Sequence, residues 1–138
     1  MIVILEQSVS WTEIESLIKI LSKIILKSTR NFSSITTLSR GGLVPSRLLA
    51  DHLGIRKILV DKKNISSNSL FVDDIFDSGK TFNKVLTKVD DPSQLYFVTL
   101  FARRGQKYPK QLIYAKKTDG DAYVVFPWDR LEFRRRQK

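Results

Sequence analysis

The chain contains no cysteine, so it can form neither a disulfide nor a thiolate metal site, and an intracellular, cytoplasmic home is expected. Long apolar runs are missing too. The longest, Ile14 to Leu26, is interrupted by Lys19 and Lys23, so no membrane span is expected. The opening Met1-Ile2-Val3-Ile4-Leu5-Glu6 has no basic n-region and is too short for a signal peptide, and none is expected. Histidine occurs once, as His52, where a structural role is expected. Acidic side chains are few beside basic ones, 14 against 24, for a formal charge of +10. Such an excess suits nucleic acid, an anionic surface or a phosphorylated ligand, and equally a plain solvated surface. The closing Arg134-Arg135-Arg136-Gln137-Lys138 is expected to be a frayed tail or a subunit contact rather than a nucleic-acid arm. There is no internal repeat, linker or low-complexity segment. With 138 residues, 42% of them hydrophobic, the chain reads as a single domain over 1–138 with one sizeable core.

Ser10 and Glu13 have the spacing of a capping box. Behind them Ile14, Leu17, Ile18, Leu21, Ile24 and Ile25 recur at helical intervals, which predicts an amphipathic helix over 11–29 with its lysines outside. A short β-branched strand, Ser34 to Leu38, runs into Ser39-Arg40-Gly41-Gly42. Leu43 to Leu53 is helical in pattern, with Pro45 tolerated in the first turn and Gly54 as a stop. Strands are predicted at Ile58 to Val60 and Leu70 to Val72, then a helix from Thr81 to about Lys88. Further strands follow at Leu95 to Phe101, Gln111 to Lys116 and Tyr123 to Phe126. Strands alternating with helices predict an α/β protein, a parallel Rossmann-like sheet with helices on both faces. Ligands of such sheets sit at the carboxyl ends of strands, where the loops 39–42 and 73–81 both fall.

The segment Leu70 to Thr81 carries the most chemistry. An apolar strand hands over to Asp73 and Asp74, then Asp77, then Ser78-Gly79-Lys80-Thr81. Adjacent carboxylates beside a buried strand need magnesium, sugar hydroxyls or both to hold their charge. The Ser-Gly-Lys-Thr turn offers backbone N–H groups, hydroxyls and a cation at the start of a helix, the makeup of a phosphate cradle. Together they point to a phosphorylated sugar or nucleotide. A P-loop is disfavoured, because the glycine it needs five positions before Gly79 is Asp74, whose charge would repel the phosphates.

The run Asp73-Asp74-Ile75-Phe76-Asp77-Ser78-Gly79-Lys80-Thr81 resembles the PRPP-binding motif of type I phosphoribosyltransferases. Ser39-Arg40-Gly41-Gly42-Leu43-Val44-Pro45 is similar to that family's pyrophosphate loop, and Phe126-Pro127-Trp128-Asp129 to the close of bacterial xanthine-guanine phosphoribosyltransferases. The resemblance covers about Ile35 to Asp129 and keeps the order of all three elements. It implies a type I phosphoribosyltransferase fold, a 6-oxopurine and PRPP as substrates, magnesium as cofactor, and a homo-oligomer, dimer or tetramer.

The resemblance also implies roles. Ser78, Gly79, Lys80 and Thr81 would take the 5'-phosphate, and Asp73 and Asp74 the ribose hydroxyls or magnesium. Asp77 would be the catalytic carboxylate beside the purine imidazole, against the plainer reading of a helix N-cap. Ser39, Arg40 and Gly41 would bind the leaving pyrophosphate, in a loop that often holds a cis peptide in this family. Arg103 would stand where a lysine contacts the purine six-oxo group, Tyr123 would stack on the base and Val124 would contact it through its backbone; Tyr123 also reads as a core strand residue. Two departures accompany the resemblance. Only Ile55 to Val72 separate Gly54 from Asp73, too few for the family's long closing loop, and Lys80 replaces a common glycine. The alternative reading is a non-catalytic PRPP- or nucleotide-binding regulatory module, whose basic surface contacts a partner or, less favoured, nucleic acid.

Overall fold

The computed structural model describes residues 5 to 136. Gln137 and Lys138 of the basic tail, and Met1 to Ile4 of the opening segment, lie outside them. Strand β1 (Glu6–Ser8), for which the sequence shows no clear pattern, precedes helix α1 (Trp11–Lys27). The Ser10 hydroxyl caps α1 by accepting from Glu13 N–H at 3.1 Å. The capping box is only half formed. The Glu13 carboxylate instead accepts from Lys116 Nζ, at 3.2 Å, because a cation from a neighbouring strand competes better than a backbone amide. Ile14, Leu17, Ile18, Leu21 and Ile25 are buried as the periodicity predicts, whereas Ile24 stands on the exposed side.

Strands β2 (Ser34–Thr37), β3 (Ile58–Val60), β4 (Ser69–Phe76), β5 (Phe97–Ala102) and β6 (Leu112–Lys117) form one parallel sheet in the order β3-β2-β4-β5-β6. Helix α2 (Leu43–Leu53) links β2 to β3 and ends at Gly54, whose φ of 70° is the left-handed stop the sequence signalled. Helix α3 (Lys80–Leu86) links β4 to β5. Alternation along β4 sends Leu70 and Val72 into a layer with α1 and α2, and Phe71 into a layer with Phe82 and Val85 of α3. The sheet is therefore covered on both faces. Strand β7 (Tyr123–Val125) pairs with β1 as a separate two-stranded parallel ribbon, a small hood on the larger sheet.

The strand order has one functional consequence. From β2 the chain steps outward to β3, then returns across β2 to lay β4 on its other side. The order reverses between β2 and β4, and the loops leaving their carboxyl ends part there, opening the crevice in which such sheets bind ligands.

One short turn meets its expectation, and the basic terminus does not. The turn 62–68, where a closing loop would sit, is stitched to the segment that follows α3: Ile65 N–H donates to Lys88 O and Asp90 N–H to Ile65 O, both at 3.0 Å, while Ser67 N–H donates to the Asp90 carboxylate at 2.8 Å. The basic terminus is not a frayed tail through 136. A turn at Pro127–Asp129 starts helix α4 (Arg130–Arg136), whose Arg136 pairs with Glu132 one turn away at 3.0 Å.

Candidate active site

Strand β4 runs four residues further than its apolar stretch, because β5 continues alongside and pairs Asp73 with Thr99 and Ile75 with Phe101. Asp73 and Asp74 are thus held on a strand end, half-buried, each carboxylate accepting from the next residue's backbone N–H at 2.9 and 2.8 Å. Burial, and then the neighbouring Asp73 charge, push the Asp74 carboxyl well above the usual carboxylate range; burial also raises Asp73. The unfolded chain releases these protons near 3.8, the folded chain later. Stability therefore falls as pH rises through that window and stays reduced above it. Asp74→Asn is expected to raise the melting temperature of the ligand-free protein at neutral pH, the gain fading below about pH 4. A variant melting no higher than wild type at pH 7 would show that the pair carries no such burden.

Beyond Asp74 the chain turns through Asp77 to Thr81, with Gly79 at φ 88° above the Phe76 ring. Among the described residues, the N–H groups of Ser78, Gly79, Lys80 and Thr81 find no protein acceptor. They line a cleft of about 150 Å³ with Asp73, Asp74 and Phe97. Asp77 does not cap α3; the N-cap is Gly79, with no side-chain bond. Its carboxylate instead meets Arg103, Nε to Oδ1 at 3.0 Å.

Across the crevice, the Ser39–Arg40 peptide is cis. Gly42 is required by close approach, and Gly41 lies close to the Asp74 carboxylate. A Cβ on Gly41 would lie 2.7 Å from Asp74 Oδ2, and one on Gly42 only 1.9 Å from Thr37 Oγ1. The Arg40 guanidinium is largely exposed and 3.8 Å from the Glu132 carboxylate of α4. Ser39 is turned the other way, its N–H and hydroxyl both donated to Asp61.

The third group of expected residues lies on the far side of Asp77. Arg103 follows β5, and its Nη1 donates to Ala122 O at 2.7 Å and Gly120 O at 3.3 Å, so one guanidinium ties Asp77 to the turn before β7. Tyr123 is 41% exposed, so it is no core residue; its ring stacks on Phe133 of α4 at 5.3 Å. Val124 is buried. Arg40, Gly41, Asp74, Tyr123, Asp129, Glu132 and Phe133 line a second cavity of about 230 Å³, which shares Asp74 with the first. Burial, with Asp74 and Glu132 nearby, raises the Asp129 carboxyl. Asp61, Glu132 and Phe133 carry no sequence signal, whereas Asp129 belongs to the quoted Pro-Trp-Asp close.

Among the described residues there is no group of three or more His, Cys, Asp or Glu that would cage a metal ion. Asp73 and Asp74, which both line the first cavity, are the carboxylates that would hold a hydrated magnesium ion, since that ion takes one or two carboxylates and completes its shell with water and substrate oxygens. No helix of the described chain is long and apolar enough to cross a membrane.

No protein-family model matches the chain. Its sequence is similar to a xanthine-guanine phosphoribosyltransferase of Chromohalobacter salexigens, 29% identical over an alignment of 143 positions that covers 88% of this chain and 83% of that one. Its fold is similar to the xanthine-guanine-hypoxanthine phosphoribosyltransferase of Helicobacter pylori, with a TM-score of 0.75 at 19% identity over 96% of this chain and 99% of the other. A purine phosphoribosyltransferase of Pyrococcus horikoshii superposes with a TM-score of 0.71 at 21% identity, covering 89% and 93% of the two chains.

Proposed function

We propose that this chain, a type I phosphoribosyltransferase by fold, motif order and sequence kinship, transfers the 5-phosphoribosyl group of PRPP to a 6-oxopurine (guanine, xanthine or hypoxanthine) and releases pyrophosphate, a purine-salvage reaction. The observation that carries this is the meeting of two anion loops at the switch between β2 and β4, with Asp74 as their shared wall. The free N–H groups from Ser78 to Thr81, with the hydroxyls of Ser78 and Thr81, hold the 5'-phosphate. Asp73 and Asp74 accept from the ribose hydroxyls, or hold magnesium through its waters. Bound there, magnesium supplies positive charge against the pyrophosphate oxygens. Arg40 adds a planar fork of donors on the same anion.

The bond from the ribose anomeric carbon to the pyrophosphate oxygen breaks, and its electron pair leaves with pyrophosphate. A purine imidazole nitrogen gives its lone pair to that carbon, and the ring's N–H proton is released. Asp77 faces the forming bond, as proton acceptor and as a negative charge beside the oxocarbenium-like centre. Arg103 holds Asp77 through Nε and is itself tied to the turn before β7 through Nη1. Tyr123 gives the base a stacking surface, and a purine on its Phe133-covered face displaces that ring. Arg103→Lys keeps the charge but cannot span Asp77 and both carbonyls, so kcat/KM for the purine is expected to fall on the order of 10- to 100-fold. Unchanged kinetics in that variant would show that the guanidinium bridge from Asp77 to the two carbonyls is dispensable for transfer.

The test of the reaction is to incubate the protein with PRPP, magnesium and an equimolar mixture of guanine, xanthine, hypoxanthine and adenine, and to separate the products by chromatography. One or more 6-oxopurine nucleoside monophosphates are expected; adenosine monophosphate alone would overturn the specificity. A second reading is favoured by the pinned turn 62–68, which leaves no closing loop on that side. In it the same site binds PRPP or a nucleotide as a regulatory module without turnover. Saturable PRPP binding with no product from any purine would select it, and steep weakening of RNA or DNA binding by salt would mark a nucleic-acid partner.

A further inference from the structure

Strand β3 ends at Val60, and the chain turns at Asp61, whose φ of 55° lies in the left-handed region. Aspartate is one of the few side chains that tolerates this conformation. The Asp61 N–H donates to Thr37 O at 3.0 Å and carries the β2–β3 ladder one step past the Thr37–Val60 pair. That bond sets the direction in which the side chain leaves. Its carboxylate closes on the first residue of the Ser39–Gly42 loop: Ser39 N–H donates to Oδ1 at 2.9 Å and the Ser39 hydroxyl to Oδ2 at 2.5 Å. Both Ser39 donors that the sequence reading gives to pyrophosphate are thereby engaged within the protein. The same bonds hold the Asp61 carboxyl below its ordinary range.

We propose that Asp61 is the positioning residue of the pyrophosphate loop, and that Ser39 is that loop's anchor rather than an anion ligand; this rests on reading the crevice as a PRPP site. By fixing Ser39 from the β3 side, Asp61 leaves Arg40 and the Gly41 backbone as the groups that face the cavity. The opposite assignment makes Asp61 a placeholder for a pyrophosphate oxygen, expelled when the substrate arrives. Three observations speak against it. Asp61 lines neither cavity of the site. The cations that bear on it are Lys88 and Lys84, not Arg40, the cation of the loop itself. Arg40 pairs instead with Glu132. A stand-in for the anion would sit in the cavity and engage that guanidinium.

The variants follow from the backbone. Asp61→Gly keeps the left-handed turn and removes the carboxylate, whereas alanine would add strain at positive φ. Asp61→Asn keeps an acceptor for Ser39 N–H and tolerates the turn. Calorimetric binding of magnesium pyrophosphate and of ribose 5-phosphate is measured beside steady-state kinetics and thermal melts. Asp61→Gly is expected to weaken pyrophosphate about tenfold and raise KM for PRPP similarly, the worth of a charge-assisted hydrogen bond. Ribose 5-phosphate affinity and KM for the purine stay as in wild type, and Asp61→Asn recovers most of the loss. Ser39→Ala added to Asp61→Gly costs nothing further, since the two act as a unit. Tighter pyrophosphate binding by Asp61→Gly would overturn the proposal in favour of a placeholder. Equal weakening of ribose 5-phosphate would overturn it too, because a general loss of structure would then explain both. A further loss on adding Ser39→Ala would return Ser39 to the anion. A wild-type protein that binds neither pyrophosphate nor PRPP would remove the PRPP reading itself, and this proposal with it.

Discussion

Asp77→Asn is expected to lower kcat/KM for purine transfer by about 10²- to 10⁴-fold while PRPP binding changes little, the range measured when a positioned acid–base group is removed. Asparagine preserves shape and one acceptor oxygen, so a contact to Arg103 survives and the melting temperature should move by little. What disappears is the negative charge, together with the ability to take a proton from the imidazole ring. Both losses fall on the transition state rather than on bound PRPP, whose 5'-phosphate is proposed to sit on Ser78 to Thr81. Single-turnover kinetics with saturating PRPP separates the two. Transfer at the wild-type rate would sink the catalytic assignment, and parallel loss of PRPP affinity would recast Asp77 as a binding residue.

The other large effect belongs to a residue with no functional group. Gly42→Ala would put a Cβ 1.9 Å from Thr37 Oγ1 and 2.7 Å from Val72 O. Both neighbours belong to central strands, and Thr37 is fully buried, so neither can swing aside. Relief requires turning the Thr37 hydroxyl away from Val72 O, to which it donates at 2.6 Å. Overpacking and a buried carbonyl left unpaired together cost between about 2 and 6 kcal/mol. Urea denaturation should show this as a lower midpoint, and transfer activity should be lost among molecules that still fold, because the carboxyl end of β2 carries the loop proposed to bind pyrophosphate. Gly41→Ala makes the contrast. Its Cβ meets only the end of the Asp74 side chain, at 2.7 Å, so activity should fall while the midpoint barely moves. If Gly42→Ala unfolds at the wild-type midpoint, the two strands are not packed against the loop as described.

Much of this arrangement was readable in the chain. Helix α2 and strand β3 have the boundaries their periodicity predicts, and Gly54 stops α2 for the predicted reason. The loops after β2 and β4 were identified from short motifs, and the reversal of strand order brings them together. Boundaries slipped where a neighbour decided them. Strand β4 extends through its own aspartates because β5 runs alongside, against the rule that charge ends a strand. Helix α4 was missed because its polar sequence has little apolar face, and it is held by contacts with Tyr123 and Arg40.

The sequence by itself determined the alternation of strands and helices, the placement of carboxylates and small residues at two strand ends, and the resemblance those residues carry. These depend on neighbours within a few positions, where backbone geometry and side-chain period act directly. The tertiary structure alone decided which groups meet. Ser39 finds Asp61 22 positions away, and Asp77 finds Arg103 26 positions away, so a residue expected at the base also holds the carboxylate proposed as catalytic. Neither pairing leaves a local trace, because partner choice follows from strand order and register, which only the folded sheet sets.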